Sequence, residues 1–327
     1  MRTSKLGSLL LAVALISAVF ATQVFAAPPS DPIRAELKGK IANVTGAVAK
    51  KFNAKDNLGN NMDTAKIIAN PYVSGQFLAV YHTYTTGVAK LNLAKSTDLL
   101  NWTFIRALAG SSGNNATQGA IKAASDGGFV VAWEQEPNNH LKVAYYSSWS
   151  NLQNGIASKT YNCPRQLSSY AEGTPNIYSA SSTSVDIGFH YFKNGDVDRQ
   201  ARGTLTNFNS WSSSTQPNMD NALLYWGVLG NIGDRDSMAY KGYTFGLMEG
   251  QFTKNDFGSF RPFIYDYATG NAEPLAMTTP AGSTAFGNPS FTTVTINGQA
   301  AVVVSMIIFS EGAQGSEGGQ LIYYFYQ

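Results

Sequence analysis

The sequence has little cysteine and little charge, and it lacks any long hydrophobic run beyond its N-terminus. Cys163 is the only cysteine among 327 residues, so no disulfide can form within the chain. Charged residues make up only 13% of the sequence, with 23 basic against 21 acidic side chains. A nucleic-acid-binding protein would show a basic excess, and a membrane-spanning helix needs about 20 apolar residues. We therefore expect neither nucleic acid as a partner nor a membrane span.

The N-terminal segment is typical of a secretory signal peptide. Arg2 and Lys5 precede an apolar run over residues 6–20, and small residues lie just before Ala27. We expect residues 1–26 to be this signal peptide and residues 27–327 to be a secreted domain, extracellular or periplasmic. Without Arg2 and Lys5, basic and acidic residues are equal in number, so recognition of a polyanion is not expected.

Aromatic residues are abundant at 12%, and Gly, Ser, Asn and Thr supply most of the polarity, which favours short strands and tight turns over long helices. A unit of fifty to sixty residues recurs five times. Each copy opens with a polar residue, followed by a short strand, a turn, a strongly apolar strand, a second turn and a third strand. The openings of successive units are Asp63, Gln118, Glu172, Asp236 and Asn288. The intervals between consecutive openings are 55, 54, 64 and 52 residues.

The second strand is the clearest element of each unit, because it follows a hairpin turn such as Asn297-Gly298. We predict second strands at residues 76–84, 128–136, 185–192, 242–250 and 299–310. Four-stranded sheets repeated around an axis form a β-propeller, so the sequence predicts a single all-β ring of five blades. The alternative, a β-sandwich, gives no reason for five similar units. The last unit lacks a fourth strand, and we predict that residues 41–52 supply it and close the ring.

Polar side chains recur at two points of each unit. In a propeller the start of each innermost strand and the end of each second strand lie at the same mouth of the central channel. These points supply carboxylates, amides, an arginine, histidines and aromatic rings, which is the mixture that a sugar site needs. The predicted substrate-binding residues are His82, Gln118, Trp133, Glu134, His190, Tyr191, Arg235, Glu249 and Asn288.

Two segments resemble the five-bladed propeller glycoside hydrolases, chiefly family 43 and the related fructan-cleaving enzymes. Residues 95–103 are similar to the blade-one S-x-D-L-x-N-W element, and residues 171–175 are similar to the blade-three E-G-P element. The resemblance implies that Asp63 is the general base or the nucleophile and that Glu172 is the general acid. It also implies that Asp236 shapes the charge of the site from blade four.

The resemblance implies cleavage of a glycan, in which one carboxyl donates a proton while an ionised carboxylate activates water or attacks. We expect a secreted, monomeric glycoside hydrolase that acts on an arabinose-, xylose- or fructose-containing glycan without a cofactor. The alternative is a carbohydrate-binding propeller without hydrolytic chemistry, in which Gln118 marks the loss of the family's third aspartate. His82 and His190 have no third histidine that would specify zinc, so no metal is expected.

Overall fold

The computed structural model describes residues 30–327. Within this range, twenty strands form five antiparallel sheets of four strands each, and every sheet is one blade of a ring. The predicted all-β, five-bladed propeller is therefore confirmed. The predicted signal peptide, residues 1–26, lies outside the described residues.

The first four blades take their strands in chain order, from the innermost strand outward. The chain begins with helix α1 (Ser30–Ala42) and strand β1 (Ala49–Lys51). Blade one follows with β2 (Asp63–Ala69), β3 (Phe77–Thr85), β4 (Val88–Ser96) and β5 (Thr103–Ala109). Blade two consists of β6 (Ala116–Ala123), β7 (Phe129–Gln135), β8 (His140–Tyr146) and β9 (Lys159–Asn162). Blade three consists of β10 (Glu172–Ala180), β11 (Ser184–Lys193), β12 (Val197–Thr206) and β13 (Ser210–Thr215). Blade four consists of β14 (Arg235–Tyr240), β15 (Tyr243–Gln251), β16 (Phe260–Asp266) and β17 (Asn271–Pro274).

Blade five joins the two ends of the described chain. Its first three strands are β18 (Phe286–Ile296), β19 (Gln299–Ile308) and β20 (Gly319–Tyr326). Its outer strand is β1, in which Ala49 lies opposite Tyr324 and Lys51 lies opposite Ile322. The predicted closure of the ring by residues 41–52 is confirmed, because β1 covers the edge that β20 would otherwise expose.

Three α-helices within residues 30–327 lie outside the sheets, and the repeat pattern does not predict them. They are α1, α2 (Trp149–Gln153) and α3 (Pro217–Leu224). α2 begins after Ser148, whose hydroxyl accepts a hydrogen bond from a backbone N–H of the first turn. α3 lies between Glu172 and Asp236, so it explains why that interval of the repeat is the longest. None of the helices in this part of the chain is long and apolar enough to cross a membrane.

Helix α1 packs against blades four and five. Leu37 and Ile41, four residues apart on one face of the helix, are fully buried. The Tyr323 hydroxyl of β20 donates a hydrogen bond to the Ile41 carbonyl at 2.6 Å. Arg34 forms an ion pair with Glu273 of β17 at 2.9 Å. The helix therefore belongs to the hydrophobic core between these two blades.

Candidate functional site

The innermost strands of four blades break at an equivalent point. At this point each strand has one residue with a left-handed backbone and a shift in strand register. These residues are Thr64 (φ 56°), Gln118 (φ 52°), Thr174 (φ 51°) and Asn288 (φ 47°). The residue before each one pairs with the end of the second strand, as Asp63 does with His82 and Gly173 with His190. By backbone geometry the blade-three equivalent of Asp63 is therefore Gly173 and not Glu172.

Glu172 lies on the other side of its strand, because successive side chains alternate. Its side chain is only 1% exposed. One carboxylate oxygen accepts hydrogen bonds from the backbone N–H groups of Gln166, Leu167 and Ser168 at 2.8, 2.5 and 3.1 Å. Burial and the Glu172 charge raise the pKa of the Cys163 thiol. The carboxylate thus anchors the loop before β10 between two blades, a position that does not favour its predicted role as proton donor.

The space that Gly173 leaves is filled by Glu134 from blade two. A Cβ atom at Gly173 would lie 2.0 Å from Glu134 Oε2. Glu134 is half-buried, and its Oε1 accepts a hydrogen bond from Asn139 Nδ2 at 2.7 Å. Burial raises the pKa of Glu134, although the nearby His190 charge and the Asn139 hydrogen bond act in the opposite direction. The neighbouring blade thus supplies a carboxyl group at the point where blade three has none.

Glu249 of blade four occupies a similar space between two glycines. Cβ atoms at Gly233 and Gly287 would lie 2.3 and 2.7 Å from its two carboxylate oxygens. The backbone N–H groups of Asp234 and Asn288 donate hydrogen bonds to these oxygens. Burial, followed by the charge of Asp234, raises the pKa of Glu249 to about 7. Glu249 therefore holds the starts of blades four and five together and titrates near neutrality.

Tyr84 is 63% exposed at the end of β3, and its ring centroid lies 5.7 Å from that of His82. Burial raises the pKa of the Tyr84 phenol, and the charges of Glu136, Asp63 and Glu134 raise it further. Burial also raises the pKa of Asp63 itself. Two partly buried carboxyl groups from neighbouring blades, Asp63 and Glu134, thus both act electrostatically on the exposed Tyr84.

Neutral hydrogen-bonding groups complete the mouth. His82 Nδ1 lies 3.0 Å from the Thr64 hydroxyl and accepts the Gln118 backbone N–H at 3.4 Å. Burial lowers the pKa of His82 to about 4, so its ring is neutral at pH 7. Asn288 Nδ2 donates to Gln118 Oε1 at 3.2 Å and joins blades two and five across the ring.

His190 of blade three is placed on the same side as Glu134. Its Nε2 lies 3.4 Å from the Thr174 hydroxyl and 3.8 Å from Asp198 Oδ1. Its Nδ1 is buried and has no hydrogen-bond partner in the described part of the chain. Among residues 30–327, no group of three or more His, Cys, Asp and Glu side chains is arranged to hold a metal ion. The predicted residues gathered at the mouth are Asp63, His82, Gln118, Glu134, His190, Glu249 and Asn288.

Three other predicted binding residues lie inside the blades. Trp133 directly precedes Glu134, and Tyr191 directly follows His190. Because successive side chains on a strand point to opposite faces, Trp133 and Tyr191 are buried in hydrophobic clusters. Arg235 is 1% exposed and donates to the carbonyls of Phe189 and Ala201 and to Gln200 Oε1. The structure therefore places these three residues inside the blades and not among the polar groups gathered at the mouth.

Asp236 lies deeper in the channel than Asp63. Its carboxylate accepts the backbone N–H groups of Ser237 at 2.7 Å and Phe291 at 3.2 Å, and burial raises its pKa. It lines a cavity of about 60 Å³ to which the innermost strands of all five blades contribute. In blade four the Asp234 carbonyl accepts the Glu249 backbone N–H, and its fully buried carboxylate forms an ion pair with buried Lys66 at 3.0 Å. The sequence Asp234-Arg235-Asp236 offers two carboxyl groups at the start of blade four, so Asp234 could be found as a candidate. No pattern in the sequence indicates Lys66 as its ion-pair partner.

The pKa of Glu249 predicts a pH dependence of stability. Because the folded protein holds this proton up to pH 7 while an unfolded glutamate releases it near pH 4.3, the contribution is full at low pH and is lost as pH rises through 7. We expect the free energy of unfolding to fall by up to about 3 kcal/mol between pH 4 and pH 8 from this group. Urea unfolding of the wild type and of Glu249→Gln at several pH values checks this. The two proteins share every other carboxyl group, so the difference between their pH slopes reports Glu249 alone. Equal pH slopes would contradict it.

Comparison with known proteins finds similar folds but no similar sequence family. No protein-family model matches the sequence, and no curated protein matches it either. Among solved structures, an endo-arabinanase of glycoside hydrolase family 43 from Bacillus licheniformis is similar with a TM-score of 0.51 and 11% identity, over 84% of this chain and 96% of that one. An α-L-arabinofuranosidase from Podospora anserina gives a TM-score of 0.52 and 11% identity, over 84% and 95% of the two chains.

A third similar structure is an exo-1,5-α-L-arabinanase from a bovine ruminal metagenomic library, with a TM-score of 0.54 and 9% identity. This match covers 83% of the chain described here and 95% of the arabinanase. At such low identity the likeness concerns the backbone arrangement alone. The chain has the five-bladed propeller fold that is also found in solved glycoside hydrolases.

Proposed function

We propose that the protein is a secreted glycoside hydrolase that cleaves a neutral glycan containing arabinose, xylose or fructose at the channel mouth. The observation that carries this proposal is the pair Asp63 and Glu134. These carboxyl groups come from neighbouring blades, have raised pKa values and both act electrostatically on the exposed Tyr84. Asp63 lies opposite His82, and Glu134 fills the space at Gly173, which lies opposite His190. Glycoside cleavage requires two such carboxyl groups on either side of the scissile bond.

We assign the proton donor to Glu134. Burial favours its protonated form, and a carboxylic acid at this position can transfer its proton to the glycosidic oxygen as the C–O bond breaks. Asp63 acts as the ionised partner, either taking a proton from the attacking water or attacking the sugar carbon itself. Its raised pKa makes the carboxylate a stronger base. This assignment gives Glu134 the role that the sequence resemblance implies for Glu172.

The groups around the pair suit a sugar. The amides of Gln118 and Asn288 and the neutral His82 ring provide donors and acceptors for hydroxyl groups. The exposed face of Tyr84 provides an apolar surface for the C–H groups of a sugar ring. These are uncharged contacts, which favour a neutral glycan over an anionic one.

A second function, glycan binding without hydrolysis, is favoured by one observation. Glu172, the residue at the family's acid-bearing element, is buried and committed to three backbone N–H groups. If Glu134 does not take over as acid, the mouth retains the hydrogen-bonding groups of a sugar site but no proton donor.

Release of reducing ends from arabinan, arabinoxylan and inulin distinguishes the two functions. We expect the wild type to release sugar from at least one polymer and the double variant Asp63→Asn/Glu134→Gln to release none. Binding of the same polymers is measured in parallel by titration calorimetry. Tight binding by the wild type with no release of sugar would favour the non-catalytic function.

Gly173→Ala tests whether the carboxyl of Glu134 has to lie where the structure places it. The new methyl group would occupy the site of Glu134 Oε2 and would push that flexible side chain aside. We expect turnover to fall by about 10²-fold, because small misplacement of a catalytic group is costly, while the melting temperature changes little. Gly39→Ala in α1 is the matched control, since no atom of residues 30–327 lies within 4 Å of its Cβ position. Unchanged turnover in Gly173→Ala would contradict the role of Glu134.

A further inference from the structure

A second cleft lies away from the channel mouth, between α3 and the β16–β17 hairpin. Its volume is about 880 Å³. β16 starts beside the end of β15 at the mouth side and runs away from it, so the hairpin after Asp266 lies towards the opposite face of the ring. Its lining includes three asparagines and three aromatic residues, namely Asn218, Asn221, Asn271, Tyr225, Trp226 and Tyr265. No residue of the channel mouth contributes to it.

Two exposed aromatic rings form one wall of this cleft. Tyr225 is 85% exposed and Trp226 is 41% exposed, although large aromatic side chains are usually buried. Their ring centroids lie 5.9 Å apart at an interplanar angle of 88°. Trp226 Nε1 donates a hydrogen bond to the Ala272 carbonyl at 2.6 Å, which fixes the indole against β17. The wall is therefore an ordered aromatic surface in contact with solvent.

The rest of the lining that the structure describes contains three asparagines and no unpaired charge. Asn218 and Asn221 of α3 and Asn271 of β17 present amide groups to the cleft. Within residues 30–327 the charged residues in the lining are Arg34 and Glu273, which form an ion pair with each other at 2.9 Å. Aromatic faces combined with amides and without net charge match the C–H faces and hydroxyl groups of a neutral sugar.

We propose that this cleft is a second glycan-binding site, in which Tyr225 and Trp226 stack against the sugar rings of a neutral polysaccharide chain. The site lies apart from the carboxyl groups at the mouth and needs none of them. Its ligand class follows from its own side chains. In a protein that acts on a polymer, such a site holds the chain near the ring while the mouth acts on another part of it.

Affinity electrophoresis of the full-length mature protein tests this site. The background is the double variant Asp63→Asn/Glu134→Gln, so that the polymer in the gel stays intact. Gels contain soluble arabinoxylan, arabinan or inulin, and a parallel gel contains polygalacturonate as an anionic polymer. We expect retardation in at least one neutral gel, and adding Tyr225→Ala should weaken the apparent affinity about tenfold, in keeping with loss of an aromatic contact.

The matched control is Tyr72→Ala, which removes another exposed tyrosine from the β2–β3 loop of blade one. It should leave retardation unchanged, and equal melting temperatures of Tyr225→Ala and its parent show that the fold is intact. Trp226→Phe, which keeps an aromatic ring, should weaken binding less than Tyr225→Ala.

Three results would overturn the proposal. The first is equal retardation of Tyr225→Ala and its parent in every neutral gel. The second is retardation in polygalacturonate alone. The third is a dimer in sedimentation that Tyr225→Ala converts to a monomer, since the cleft would then be an interface between two copies. The wild type can also fail to release sugar while Tyr225→Ala still weakens retardation. That result would contradict the proposed hydrolase function and support the second glycan-binding site.

Discussion

Glu134→Gln should lower the turnover of a polysaccharide by about 10²–10⁴-fold, the range typical for loss of a general acid. Glutamine keeps the shape of the side chain and can still accept the Asn139 hydrogen bond, but it has no proton to donate. An aryl glycoside with a good leaving group needs little protonation, so the variant should recover much of its rate on that substrate. Initial rates on both substrates measure the difference.

Asp63→Asn should lower turnover at least as much and should not be rescued by the aryl substrate. Its carboxylate acts on water or on the sugar carbon, and neither step becomes easier with a better leaving group. Glu136→Gln is the control near the same tyrosine, because Glu136 already accepts a hydrogen bond from Asn115 Nδ2 at 2.8 Å. Its rate should stay near that of the wild type.

Glu172→Gln separates the two candidate acids. Its amide would place an N–H₂ group near three backbone donors, so we expect a lower melting temperature and a turnover per folded molecule close to that of the wild type. Rate loss with intact folding in Glu172→Gln, together with a fully active Glu134→Gln, would restore the assignment that the sequence resemblance implies.

Much of the fold could be predicted because its signals are local. Hairpin turns such as Asn297-Gly298 set the second strands to within about two residues of the observed bounds, and the count of units set the number of blades. The missing outer strand after β20 indicated closure from the N-terminal side. Helix α1 has a local signal outside the repeat, since Ser30, Asp31 and Pro32 begin a segment with Leu37 and Ile41 on one face.

The site was harder to predict because its register depends on the backbone break in each innermost strand. Aligning the units by residue type makes Asp63 and Glu172 equivalent, whereas the left-handed residues Thr64 and Thr174 make Asp63 equivalent to Gly173. A glycine in a sequence does not show which carboxyl fills its space. Glu134 fills the space at Gly173 from the preceding blade, which is a property of the packed ring that only the three-dimensional arrangement shows.

A chain that begins at Asn53, and therefore lacks α1 and β1, should aggregate or lose most of its free energy of unfolding. Without β1 the strand β20 becomes an open edge whose backbone N–H and C=O groups can pair with another molecule. Without α1 the core between blades four and five loses two fully buried side chains, Leu37 and Ile41. Loss of one such side chain typically costs about 2–5 kcal/mol, against a total stability of about 5–15 kcal/mol.

The comparison is with a chain that begins at Ala27, the predicted first residue after the signal peptide, which retains both elements. Size-exclusion chromatography and thermal unfolding measure the two chains side by side. Because the truncated chain can fail to fold at all, Leu37→Ala in the longer chain provides a graded test, with an expected loss of about 2–5 kcal/mol in urea unfolding. Leu58→Ala, at a side chain that is 63% exposed, should cost less than about 0.5 kcal/mol. A monomeric truncated chain with the melting temperature of the longer one would show that the ring closes without β1 and α1.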